Sequence, residues 1–178
     1  MATKNGQSSE EAGAAPAKAG GIKRAESIQV VVFTLGDELF AIDLFDVKEV
    51  VEFTTITKLP NVPPYIRGII DLRGEITSII DLKYRLNIAA ESQELPDTSR
   101  IIVLDSNITR AKTGILVDDV TSVSTFEGSQ VDYTSASVSN EDTSIIGIIK
   151  RKVKKQEKEK NELIIWIDIR RLLGDFDT

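Results

Sequence analysis

From Ile28 onward the chain is a series of short β-rich runs, each closed by turn residues, and this rhythm leaves no room for long helices. Ile28 to Leu35 is a β-branched run, Gly36-Asp37 a hairpin turn, and Leu39 to Ile42 the return strand. Val47, Val50 and Val51 sit among charges with a period that fits neither helix nor strand uniquely. Pro60, Pro63 and Pro64 then interrupt regular structure. Ile66 to Leu72 and Glu75 to Ile80 flank a turn at Arg73-Gly74, and Asp81 to Leu86 reads as a one- or two-turn helix capped by Asp81. A polar connector from Glu91 to Ser99 follows. Strands then resume at Arg100–Leu104, Thr113–Val117, Val120–Phe126, Ser144–Lys150 and Glu162–Ile167, and a helix from Asp168 to Leu173 closes at Gly174.

The second half echoes the first. Ala41 to Val50 and Gly114 to Val123 share an Asp-Val-x-x-Val ending, Gly68-Ile69-Ile70 is matched by Gly147-Ile148-Ile149, and Ile79-Ile80-Asp81-Leu82 by Trp166-Ile167-Asp168-Ile169. Three matches in the same order point to a duplication. The expected fold is all-β with short helices, as two small barrels of about five strands each, because closure hides strand edges. The Ala-, Gly- and Ser-rich residues 1–27 are expected to form a disordered tail. Residues 28–98 are read as the first barrel subdomain, and 99–178 as the second with the C-terminal helix.

Composition removes most catalytic chemistry. The chain has no histidine and no cysteine, which excludes an imidazole base, a cysteine nucleophile and disulfides. Zinc and soft transition metals lose their preferred ligands. Phosphate-binding glycine loops and calcium loops are missing from the sequence. Asp118-Asp119 at a strand end reads as solvated turn carboxylates, and Asp43/Asp46 or Asp175/Asp177 have nothing to bring them to a cleft as an acid–base pair. No catalytic residue, metal or cofactor is therefore expected. A formal charge of −6 argues against nucleic acid or an anionic membrane as a whole-surface partner. Apolar runs are too short for membrane insertion, and a cytoplasmic protein is expected.

One local exception stands out. Residues Lys150–Lys160 hold seven of the 22 basic residues and two of the 28 acidic ones. They read as a solvated hairpin tip, with binding of an anionic ligand as the alternative. No aromatic residue is interleaved for base stacking.

The most informative stretch runs from Pro60 to Leu82. Gly74 can supply the positive φ of a hairpin, with Arg73 a solubilising charge. The sharper expectation holds Arg73 beside Glu49, the pair orienting a valine surface around Val47. The run Gly68-Ile69-Ile70-Asp71-Leu72-Arg73-Gly74, followed by Ile79-Ile80-Asp81-Leu82, resembles the hallmark hairpin of the chemotaxis coupling (CheW) family. Phe33 to Glu38, Ile42-Asp43 with Val47 to Val50, and Gly114 to Val120 resemble further family segments, so the likeness covers a domain over about residues 28–174.

That resemblance implies two SH3-like barrels with a hydrophobic seam, and no catalysis. It implies an adaptor between chemoreceptor hairpin tips and the regulatory domain of a chemotaxis histidine kinase, recruited to membrane-associated receptor arrays. Val47 and Glu49 match receptor-contact positions, Arg73 the arginine paired with that glutamate, and Ile101, Gly114 and Val123 positions lining the receptor groove. Gly68 supports the hairpin. Asp71 stands where the family has asparagine, Thr77-Ser78 replaces an apolar-Pro step, and the Lys150–Lys160 hairpin is longer than usual. Coupling in a surface-motility pathway is the alternative within the class, and a carboxylate hydrolase the alternative outside it.

Overall fold

Successive side chains of a strand point to opposite faces, and both faces of Ile28–Leu35 are apolar, so this strand must be covered on two sides. The computed structural model, which describes residues 26–88, 94–133 and 144–174, shows how. In β1 (Ser27–Leu35), Ile28, Val30 and Val32 enter one core while Val31, Phe33 and Leu35 enter another. The same split recurs in β6 (Arg100–Leu104), where Ile101 and Val103 face one way and Ile102 and Leu104 the other.

The remaining elements are β2 (Glu38–Asp43), β3 (Val47–Glu52), β4 (Ile66–Leu72), β5 (Glu75–Asp81), α1 (Leu82–Arg85), β7 (Thr113–Val117), β8 (Asp119–Glu127), β9 (Val131–Asp132), β10 (Ile145–Lys155), β11 (Lys158–Ile167) and α2 (Ile169–Leu173). They form two mixed sheets, in the orders β8-β1-β2-β11-β10-β9 and β3-β6-β7-β5-β4. In the first, β9 continues β8 after a 3-10 turn at Gly128–Gln130 and pairs with β10. In the second, Thr57 beyond β3 bridges Ile69 on β4. The third strand of each set thus bends round to meet the fourth and closes a barrel. The sixth strand of the first sheet is the second half of a bent one.

The duplication is visible in the register. Ile79 on β5 pairs in parallel with Gly114 on β7, and the matching residue Trp166 on β11 pairs in parallel with Ala41 on β2. Both copies carry the same two irregularities. One lies where β3 meets β6 and β8 meets β1, the other at Gly68 and Gly147.

The barrels do not, however, follow the sequence division at residues 98/99. Each takes its first two strands from one repeat and its later strands from the other. The 3-10 turn Leu44–Asp46, capped by Asp43, carries the chain from the first sheet to the second, and Asp118 marks the return crossing.

Between the barrels lies the largest core cluster, drawn from both sheets and both helices: Phe33, Leu35 and Ile42 meet Ile80, Ile102, Ile115, Ile167 and Leu172. Fully burying each such side chain contributes about 1.5–3 kcal/mol of transfer free energy, so this seam joins the barrels into one cooperative body. Asp81 caps the first helix as the sequence predicts, and Asp168 does the same for the second, each accepting from the backbone N–H three residues on. Gly174 ends the second helix as the sequence predicts, as its C-cap at φ −57° and ψ −23°, in right-handed space. The basic run is regular strand rather than loose loop: β10 extends to Lys155 and β11 starts at Lys158.

Candidate functional site

A two-residue hairpin loop matches strand twist when both its residues have positive φ. Arg73 (φ 54°) and Gly74 (φ 83°) meet that condition between β4 and β5. Arginine in this conformation costs about 1–2 kcal/mol relative to ordinary backbone. Asp71 offsets part of it, because its Oδ1 accepts the Gly74 N–H at 2.8 Å. An asparagine carbonyl could make the same bond, so the Asp71 departure preserves the turn.

The turn aims Arg73 across the barrel mouth at Glu49. Nη2 donates to Oε2 at 2.6 Å and Nη1 to Oε1 at 3.1 Å, a fork-to-carboxylate geometry. Glu49 lies on the half-buried side of β3 with Val47 and Val51, just after the register irregularity. The Arg73 hydrogen bonds hold its carboxyl below the usual glutamate range, and Glu49 raises the guanidinium in turn. Beside the pair is a hollow of about 130 Å³ whose lining includes Lys48, Leu72, Thr77, Leu104, Arg110 and Lys112. Lys112 is itself paired with Glu75.

Val47 is half-buried and packs on the inter-barrel core, leaving part of its side chain beside Glu49. Val50, on the outer side of β3, is exposed. Val123 is 61% exposed but stands on β8 of the other barrel, where it is the repeat counterpart of Val50.

Ile101 and Gly114 present no surface. Ile101 is fully buried, and a Cβ on Gly114 would lie 2.7 Å from Ile101 Cγ2 and 3.2 Å from Ile79 Cδ1. Both belong to the interior of the second barrel, because they fall on the inward face of β6 and β7. Neither offers a side chain at the surface. Gly68 is also internal: at φ +146° its missing Cβ leaves room for Thr57 O, which would lie 2.2 Å from that atom.

Two charged pins went unrecognised in the sequence. Asp118 is buried rather than solvated. Its Oδ2 accepts the Gly36 N–H at 2.7 Å and meets Lys83 Nζ at 2.6 Å, while its carbonyl accepts from Thr98 Oγ1. On the second repeat, Arg170 reaches Asp46 Oδ1 at 3.3 Å and the Asn107 carbonyl at 3.2 Å. Burial raises the Asp46 carboxyl above its ordinary value, and Arg170 only partly opposes it. Lys83 and Arg170 hold equivalent positions on α1 and α2, and that equivalence was the available signal. Asp43 and Asp46 are thus a cap and an ion-pair partner, and the Asp175/Asp177 pair lies outside the described residues. Phe45, 78% exposed beside these groups, gave no sequence signal. Among the described residues no acidic cluster is arranged to hold a metal, and no helix is long and apolar enough to cross a membrane.

Comparison with known proteins agrees with this architecture. The family model for the CheW-like domain matches residues 29–177. The chain is 32% identical over 146 residues to the chemotaxis protein CheW of Bacillus subtilis, covering 82% of this chain and 86% of that one. It is 26% identical over 150 residues to CheW of Thermotoga maritima, covering 84% and 90%. The crystal structure of the scaffolding protein TtCheW from Thermoanaerobacter tengcongensis superposes with a TM-score of 0.66 at 35% identity, covering 82% of this chain and 92% of that one. With the family model spanning nearly the whole described structure and this degree of likeness along the chain, the protein belongs to the CheW family of chemotaxis scaffolds.

Proposed function

We propose that this scaffold joins a chemoreceptor hairpin tip to the regulatory domain of a chemotaxis histidine kinase, and is thereby recruited to membrane-associated receptor arrays. The observation that carries the receptor face is the bidentate Arg73–Glu49 contact at the open end of the second barrel. A guanidinium locked in one plane gives a fixed polar edge beside Val47. An apolar helix ridge can pack on Val47 while its polar flank reads the ion pair, as helix-in-groove recognition requires. Val123 extends the apolar surface on the neighbouring barrel. Ile101, Gly114 and Gly68 act by holding the strands beneath in register. Coupling needs no chemistry, only that receptor state alter the affinity or geometry of the bound kinase.

Calorimetric titration of the full chain with a receptor-tip fragment, then with the kinase regulatory domain, tests this reading. Independent binding to both, with a ternary complex when all three are mixed, is expected. A folded chain that bound only one partner, or whose two partners displaced each other, would contradict a bridging role.

A further inference from the structure

Beyond Ile149 and Ile164 the β10–β11 hairpin has no third strand among the described residues: β9 pairs only with Ile148 and Ile149, and β2 with Ile164 to Trp166. The outer part is a two-stranded ribbon, a form that is only marginally stable by itself. Its pairing alternates two faces. On one, Lys154 stands opposite Glu159, Lys152 opposite Asn161, and Lys150 lies 3.8 Å from Asp132. On the other, Arg151 is held by Glu162 at 2.5 Å, but further out Lys155 faces Lys158 directly and Lys160 faces Val153.

Like charges placed opposite each other destabilise a ribbon. Lys155, Lys158 and Lys160, with Gln156, also line one open hollow. Concentrated like charge on one side of a marginal ribbon returns nothing to the fold, whereas the rest of the chain carries 15 basic against 26 acidic residues. We propose that the Lys155–Lys158–Lys160 face of this hairpin is a docking site for an acidic protein segment, separate from the Arg73–Glu49 face.

The chemistry of the tip selects that class of partner. A bilayer surface would meet a strongly acidic body behind the hairpin, and the tip presents no aromatic or large apolar group to insert. Base stacking lacks its aromatic platform for the same reason.

Fluorescence anisotropy of a labelled decaglutamate peptide against the full-length protein tests the site. Binding that weakens with added salt is expected, and K155E/K158E/K160E should lose affinity by about tenfold or more. K150E/K152E/K154E makes the same net charge change on the opposite face and should lose less than about threefold. K155Q/K158Q/K160Q, checked by its thermal melt, gives the same ordering should the reversed charges unfold the ribbon. Equal losses from both triple variants would reduce the effect to net charge and overturn the proposal. So would no binding at low salt, or tighter binding to phosphatidylserine vesicles or single-stranded RNA than to the peptide.

Discussion

Arg73 and Glu49 come from opposite ends of one sheet, the arginine from the turn after its edge strand β4 and the glutamate from the other edge strand β3, and their paired hydrogen bonds span the mouth of the closed barrel. The turn geometry comes first. Positive φ at Arg73 and the Asp71 bond to Gly74 aim the guanidinium before any partner arrives. The proposed receptor face is therefore preorganised, which lowers the ordering cost of binding.

Arg73→Lys keeps the charge but loses the planar fork. We expect receptor-tip affinity to fall about fivefold, with the melting temperature near that of the parent chain because the pair is solvent-facing. Calorimetry and a thermal melt on the same sample check it. An unchanged affinity would mean that charge alone suffices there.

The Glu49 carboxyl also sets a pH signature. Its value in the folded state lies below that of an unpaired glutamate, so the pairing is complete above the ordinary carboxylate range and is lost as pH falls through the lowered value. Receptor-tip binding should thus stay level from neutral pH down to the ordinary glutamate range and decline only below it. Glu49→Gln should abolish that acid-side decline. A carboxyl NMR titration that finds Glu49 at its ordinary value would show the pair open in solution.

Gly114→Ala places a methyl against Ile101 and Ile79 and should destabilise the chain by about 1–3 kcal/mol through overpacking. Any loss of receptor binding should then follow the loss of stability in denaturant melts. A Gly114→Ala protein of parental stability that fails to bind would instead make Gly114 a direct contact.

Asp118→Ala removes the acceptor for Gly36 N–H and the partner of Lys83, both at the crossing between barrels. Urea unfolding should show a loss of about 2–3 kcal/mol. Asp118→Asn, which keeps one acceptor for Gly36, should recover part of it.

Much of this was legible from single residues. The repeated Asp-Val-x-x-Val ending and the Ala41/Gly114 and Ile79/Trp166 matches predicted the duplication, and the structure pairs Ile79 with Gly114 just as it pairs Trp166 with Ala41. The turn at Arg73 followed from Gly74 between two apolar strands, whereas its place beside Glu49 was the sharper of two readings and the one the family resemblance implied. The exchange of strands between repeats was not legible, since Leu44–Asp46 is as compatible with turning back as with crossing over. Nor was the burial of Ile101 and Gly114, because strands apolar on both faces give no alternation to separate inside from outside. Asp118 looked solvated for a similar reason: its partners Gly36 and Lys83 are distant in sequence and meet it only when the barrels pack.

In the proposed receptor face, Arg73 and Glu49 act together as an oriented recognition pair. Calorimetric titration of a receptor-tip fragment into Arg73→Glu, Glu49→Arg and the doubly swapped chain tests it most directly. Each single reversal should weaken binding about tenfold or more in a folded protein, and the swap should restore a substantial part. Two losses that simply add in the double variant would contradict it, as would an Arg73→Glu chain that no longer folds.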